Sequence, residues 1–409
     1  MKNYIKILLF ALFLPGSLLG QNSNIDVQLK KSMSDAWKTT WELFYHDKTN
    51  QFYDFISSYD RSNSLNHLPQ PNEVRIQFPN FQGYGTGMED CMISAGVMLD
   101  LVVDKYLVTQ DKKLFQSADL ILKGIELSSN VHGVNGFLAR GVSPFAPTDI
   151  YINSSRDQYT HVVHGLWKYY NSALVTEQQR TRIIKLVVAY TKRMEDKIVK
   201  ATNYDFQRAN NSPDVLGISR MWNVDGHEAA RLPMFYGVAW KMTSDAKYQK
   251  LMNTYLDDAL EQSFNLNPNV ATYAILQMQN SMEVLYDILT EENYKKLIVQ
   301  ISDNLSAKSL DRLNRALQKS ATLDHSTLVD DWRHGVGIRT GTKEREIWYN
   351  SREIGEALLS ILISKGKREE FSVSKVKEFM GILDFNRISS NGIFYLQAAY
   401  WKARKLDRL

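Results

Sequence analysis

An all-α fold, a single (α/α)6 toroid of helical hairpins with long active-site loops on one face, is predicted by three features of this sequence. Apolar residues recur at three- and four-residue spacing through twelve segments. Several neighbouring segments are joined by tight polar turns. The remaining connections are long and rich in Gly, Pro, Asn and aromatic residues, and long irregular stretches inside a compact domain are usually lids or binding loops. Hairpins with short turns at one end and long loops at the other, repeated about six times, describe the toroid. An open helical-repeat scaffold decorated by its loops is the alternative.

The first twenty residues read as a secretory signal: Lys2 and Lys6 form a positive start, Ile7 to Leu14 an apolar core, and Leu18-Leu19-Gly20 an exit. Residues 21–409 are then one barrel domain, secreted or periplasmic. Its helical periodicity runs through 25–46, 89–108, 112–129, 155–174, 176–199, 225–243, 245–264, 268–289, 292–318, 350–365, 372–383 and 391–406. The tight turns are Thr109-Gln110-Asp111-Lys112, Thr176-Glu177-Gln178-Gln179, Thr243-Ser244-Asp245-Ala246 and Thr290-Glu291-Glu292-Asn293. Each reads as a Thr or Ser N-cap followed by acids in the next helix's first turn. The long connections are 47–88, 130–154, 200–224 and 320–349.

Composition narrows the function classes. With 409 residues, 44% hydrophobic and 23% charged, 21 Gly, 9 Pro and one Cys, the chain is neither disordered, collagenous nor a disulfide scaffold. The +4 charge falls to +2 once the two signal lysines are removed, and the signs are mixed without a basic stripe, so nucleic acid is not an expected partner. No later stretch offers ~18 uncharged apolar residues, so no membrane segment is expected after signal removal. The only thiol, Cys91, has no partner within the chain, and no Cys follows Gly20 to carry a bacterial lipid anchor.

Chemistry is expected where long loops feed into helices. Gly83-Tyr84-Gly85-Thr86-Gly87-Met88-Glu89-Asp90 leads into one apolar helix. No strand precedes its glycines and no Lys-Ser/Thr follows, which argues against a nucleotide loop and leaves Glu89 and Asp90 delivered to a pocket mouth. Asn153-Ser154-Ser155-Arg156-Asp157-Gln158-Tyr159-Thr160 leads into His161-Val162-Val163-His164. Paired carboxylates on one rim suit glycoside hydrolysis, and plain helix capping is the competing explanation. The helix dipole lowers a carboxyl pKa, so a general acid here needs burial or a second carboxylate, which Glu89 beside Asp90 could provide.

These two segments resemble the two-aspartate layout of unsaturated glucuronyl and rhamnogalacturonyl hydrolases, which are (α/α)6 barrels. Arg140-Gly141-Val142-Ser143-Pro144 together with Ser155-Arg156-Asp157-Gln158-Tyr159 is similar to exported β-glucuronidases of gut Bacteroidetes on the same barrel. The resemblance implies Asp157 as general acid/base and Asp90 as its partner, acting on a terminal uronic acid of a complex polysaccharide without a cofactor. The chain lacks the Trp-Gly-Arg-Gly stretch of the unsaturated-uronyl enzymes, which favours a saturated uronide or another acidic sugar.

Further binding candidates lie in the other loops. Tyr84, Arg156 and His161 flank the carboxylates. In the third long loop Arg220 suits a uronate and Trp222 a sugar face, with Arg208, Asn210, Met221, Asn223, Asp225 and His227 beside them. In the fourth, Trp332, Arg333 and His334 combine an aromatic platform with cationic donors, Asp330 and Asp331 offer a rival carboxylate pair, and Arg352-Glu353 reads as a surface ion pair. His227-Glu228-Ala229-Ala230-Arg231 fails as a zinc motif because Arg231 stands where the second His belongs. His161 and His164 share a helix face without a third ligand, so no metal is expected. A polysaccharide lyase using Tyr159, His161, Arg156 and Asn153 stays open, as do an unsaturated uronyl hydrolase and a non-catalytic glycan-binding scaffold.

Overall fold

The computed structural model describes residues 16–328 and 343–409. All twelve expected helices are present: α1 Gly16–Thr39, α3 Cys91–Thr109, α4 Lys113–Asn130, α5 Arg156–Tyr170, α6 Glu177–Lys197, α8 Arg231–Thr243, α9 Ala246–Gln262, α10 Thr272–Ile288, α11 Glu292–Ser320, α12 Lys343–Ile363, α13 Val373–Ile382 and α14 Gly392–Lys405. A short helix, α2 Pro71–Arg75, lies within a long loop, and the segment expected as one helix over 225–243 is divided at Ala230 into α7 Gly226–Ala229 and α8. A two-residue hairpin, β1 Tyr45–His46 and β2 Gln51–Phe52, follows a π-helical turn that ends the first helix.

Burial sorts the helices into two rings. In α3 every residue from Cys91 to Asp104 is buried, the signature of a helix surrounded on all sides. In α6 the buried Ile183, Leu186, Val187, Tyr190 and Met194 form one stripe, and the other face is polar. Contacts then run α3 to α5 to α8 to α10 to α12 to α14 and back to α3, a closed inner ring of six. The outer ring is α1, α4, α6, α9, α11 and α13, with α13 packed against α1. The fold is therefore an (α/α)6 toroid. Among the described residues no helix is long and apolar enough to cross a membrane.

The inner helices α3 and α5 approach closely because two glycines meet. A Cβ on Gly96 would lie 2.1 Å from His161 O, and one on Gly165 would lie 2.6 Å from Gly96 O. This contact brings the N-termini of α3 and α5, and the loops that feed them, side by side.

The tight turns differ in detail from the expected pattern. Thr176 caps α6 in a reciprocal box with Gln179. At the other turns Gln110 and Ser244 end the preceding helices in left-handed conformation, keeping Thr109 and Thr243 within those helices. Asp111 and Asp245 accept the first-turn N–H groups instead, from Lys113 and Lys247. Ahead of α11 no side chain caps the helix; Glu291 turns back to accept the Thr290 N–H.

Candidate active site

All the short turns join an inner helix to the next outer one, so the long loops enter the N-terminal ends of the inner helices. Asp90 occupies the N-cap position of α3, yet its side chain caps nothing. Its Oδ2 accepts from Arg352 Nη1 of α12 at 3.0 Å and its Oδ1 from Gln158 Nε2 of α5 at 3.2 Å, with Arg140 Nη1 at 3.8 Å. The side chain is 17% exposed.

Asp157, in the first turn of α5, pairs with Arg231 of α8, and Arg231 Nη2 also donates to Gln277 Oε1 of α10 at 2.6 Å. Burial alone would raise the Asp157 carboxyl, but the guanidiniums of Arg231, Arg156 and Arg140 outweigh it and hold it at about 2. The carboxyl is 29% exposed, whereas Arg231 is 1% exposed. Asp157 is thus a carboxylate at neutral pH, reachable from the mouth and clamped from behind.

Glu89 turns away from the mouth. Gly85 and Gly87, both at positive φ, aim their N–H groups at its two oxygens, at 3.3 and 2.8 Å. Burial first, then the charge of Asp90, pushes Glu89 up to about 7. It holds the glycine loop closed, and its backbone carbonyl accepts from Arg140 Nη1 (2.9 Å) and Gln158 Nε2 (2.8 Å). Tyr84 lies over the Arg140 guanidinium and accepts from its Nη2 at 3.2 Å.

The other sequence candidates separate into three groups. Arg156 is committed to protein partners: its guanidinium pairs with Glu228 and donates to the carbonyls of Gly217 (2.6 Å) and Arg220 (3.1 Å), tying the third loop to α5. His227 lies 3.5 Å from the same Glu228 carboxylate, and Trp222 packs edge-on against Tyr255 of the outer helix α9. The Arg220 side chain makes no ion pair among the described residues. His161 is buried below the mouth, 3.5 Å from Asn280, and burial lowers it to about 3. Trp332, Arg333 and His334, with Asp330 and Asp331, lie outside the described residues.

Two lyase candidates have structural positions. Tyr159 is buried, donating to Gly136 O (2.8 Å) and accepting from Leu138 N–H (2.9 Å), and burial raises its phenol well above the usual range. Asn153 is buried and donates to Asp214 at 3.0 Å. Neither reaches the mouth.

Arg352 and Glu353 depart from the surface pair expected of them, and Glu356 and Tyr273 carry no recognisable signal in the sequence. Arg352 is 3% exposed rather than a surface residue; its Nε donates to Glu356 Oε1 at 2.7 Å, and its guanidinium lies over the ring of Tyr395. Glu353 instead accepts from Thr272 at 2.8 Å. Burial pushes Glu356 up to about 7 despite Arg352. Tyr273 of α10 is pushed up to about 12, by burial first and then by Asp157.

No protein-family model and no curated protein matches the chain. Among solved structures it is similar to a sugar epimerase from a ruminal bacterium, with 11% identity, 92% of this chain and 98% of that chain covered, and a TM-score of 0.52. An inactive variant of an α-1,6-mannanase of Salegentibacter sp. HEL1_6, bound to α-1,6-mannotriose, gives 11% identity, 92% and 99% coverage and a TM-score of 0.45. A cellobiose 2-epimerase from Spirochaeta thermophila DSM 6192 gives 11% identity, 97% and 99% coverage and a TM-score of 0.46. At such identity the likeness to the ruminal epimerase is one of fold. The chain is an (α/α)6 toroid with a carboxylate and arginine constellation at its long-loop end.

Proposed function

We propose that the chain is a carbohydrate-active enzyme, and specifically an exported glycoside hydrolase that removes a terminal uronic acid, β-glucuronide-like, from a complex polysaccharide. One observation carries the reading: Asp90 and Asp157, from adjacent inner helices, are both partly exposed at the same end of the barrel, each held by an arginine from a different inner helix. Glycoside hydrolysis needs two such groups, one supplying a proton to the leaving oxygen and one acting as a carboxylate.

The electrostatics favour a division of labour opposite to the one the family resemblance implies. Asp157, held at about 2, is the carboxylate that activates water or stabilises positive charge on the sugar ring. Asp90, partly exposed at the same end of the barrel, is then the group left to serve the leaving oxygen. Arg140, Arg231 and Arg352 already face protein carboxylates, so the cation for an acidic sugar is proposed to come from the other loop arginines, Arg220 among the described residues and Arg333 outside them. Residues 1–20 are the removed signal in this reading.

The test is to incubate the mature protein with uronide-capped oligosaccharides, following released sugar by chromatography and enol-ether absorbance in parallel. Release of a saturated uronic acid without new absorbance is the expected result. New absorbance points to elimination, an isomerised sugar to epimerase chemistry, and either outcome overturns the hydrolase reading.

A further inference from the structure

Behind Asp90 lies another carboxyl, Asp54, two residues past β2 and fully buried. Its backbone is fixed on both sides: its N–H donates to Gly87 O at 2.8 Å, and its carbonyl accepts from the Asn391 N–H, just ahead of α14, at 2.7 Å. Its Oδ2 accepts the Asp90 N–H at 2.8 Å. Its Oδ1 is sealed from solvent and has no partner among the described residues.

The surroundings share this character. The Tyr395 hydroxyl, both side-chain polar atoms of Asn391 and Glu356 Oε2 are also buried without partners among the described residues. The titratable and charged groups facing Asp54 are Glu89, Asp90 and Cys91 from the glycine loop and α3, Arg352 from α12, and Tyr395 from α14. The single guanidinium among them already serves Asp90 and Glu356. An ionised carboxylate with a bare buried oxygen beside other carboxyls is among the costliest arrangements in a protein interior, and a proton on that oxygen removes the charge. Burial first, and then Asp90 and Glu89, push Asp54 well above the usual carboxylate range.

We propose that Asp54 is a positioning residue of the active site: it carries a proton at neutral pH and, through the Asp90 N–H, fixes the place of the Asp90 carboxyl while adding no charge beside it. Deprotonating Asp54 would leave a buried charge on an oxygen with no partner among the described residues, and relieving it displaces the Asp90 N–H and the carboxyl that Asp54 positions. Turnover then falls on the alkaline side as that proton leaves. The proposal rests on the reading of Asp90 as a reacting group, and its test separates the two.

The first arm needs no substrate. Melting of the wild type and of Asp54→Asn is compared from pH 5 to pH 9. A carboxyl raised by folding contributes stability that is fully present below its unfolded pKa, about 4, and is lost as pH rises through the folded value. Asparagine keeps the acceptor for the Asp90 N–H but cannot titrate, so the wild type is expected to lose ground to the variant steadily as pH rises. A difference constant with pH overturns the proton on Asp54.

The second arm measures turnover of the uronide that the wild type cleaves. Activity retained in Asp90→Asn removes the underlying reading, whatever Asp54 does. With Asp90 essential, Asp54→Asn is expected to keep kcat at pH 7 within about threefold and to lose the alkaline limb, while Asp54→Ala drops kcat about tenfold or more at near-constant KM. Equal losses in the Asn and Ala variants at pH 7, or an unchanged alkaline limb in Asp54→Asn, overturn the positioning role.

Discussion

Replacing Arg231 by Gln tests how the Asp157 carboxylate is held. Arg231 is the largest influence lowering Asp157, which it and the more distant arginines bring from 3.8 to about 2 against burial. Without it the carboxyl returns to at least its ordinary value, a change worth about 2.5 kcal/mol at about 1.4 kcal/mol per tenfold change in proton affinity. The sign follows from the depressed pKa. This stability is present above the unfolded pKa near 4 and is lost as pH falls through about 2. The wild type should therefore exceed Arg231→Gln by about 5 °C at pH 7, taking about 2 °C per kcal/mol for a long chain, by about half of that at pH 3, and by little at pH 1. Scanning calorimetry at those pH values reads the difference, and the acid limb of the rate profile should move up by about two pH units in the variant. A stability gap that stays the same from pH 7 to pH 3 would refute the reasoning, because it would mean that Arg231 contributes packing and not charge.

Other perturbations probe the scaffold and the maturation of the chain. At the short-turn end Lys402, 3% exposed, pairs with both Asp100 and Asp104; Lys405 also pairs with Asp104 at 2.7 Å, so Lys402→Met strands chiefly the buried Asp100 and should cost about 3 kcal/mol in a urea titration. An unchanged midpoint would count against that network. Gly96→Val places a side chain where a Cβ would already be 2.1 Å from His161 O, so it should separate α3 from α5 and lower stability by about 2 kcal/mol or more, while Val97→Ala should cost less. The proposal that residues 1–20 are a removed signal predicts a mature N-terminus at Gln21 by N-terminal sequencing, and an intact Met1 would contradict it.

What the sequence disclosed and what it hid follow from the range of the interactions. Helices are local objects, and their 3.6-residue rhythm survives in one dimension; even the alternation of short and long connections could be read directly. The glycine loop and the start of α5 were equally visible, because each joins a long loop to a helix. The arginine clamps were not. Arg231 sits 74 positions from Asp157, and in the sequence it stands out only by spoiling a zinc motif. Arg352 invited pairing with its neighbour Glu353, although adjacent residues on a helix do not face one another and the partner four positions on, Glu356, was the better choice. Its other partner, Asp90, is 262 positions away. Asp54 lies in an irregular loop, and only the closure of the barrel seals it behind Asp90. Trp222 shows the converse: a residue well suited to a sugar face packs against Tyr255 in the outer layer, and composition alone could not tell the two apart.

The most direct test of the central claim compares the wild type, Asp90→Asn and Asp157→Asn on a uronide-capped oligosaccharide, measuring released uronic acid in single-turnover mixtures alongside far-ultraviolet circular dichroism. Each variant should keep its helical spectrum and lose about a hundredfold or more in rate. Near-wild-type release by either folded variant would contradict the assignment of these two carboxylates as the reacting pair.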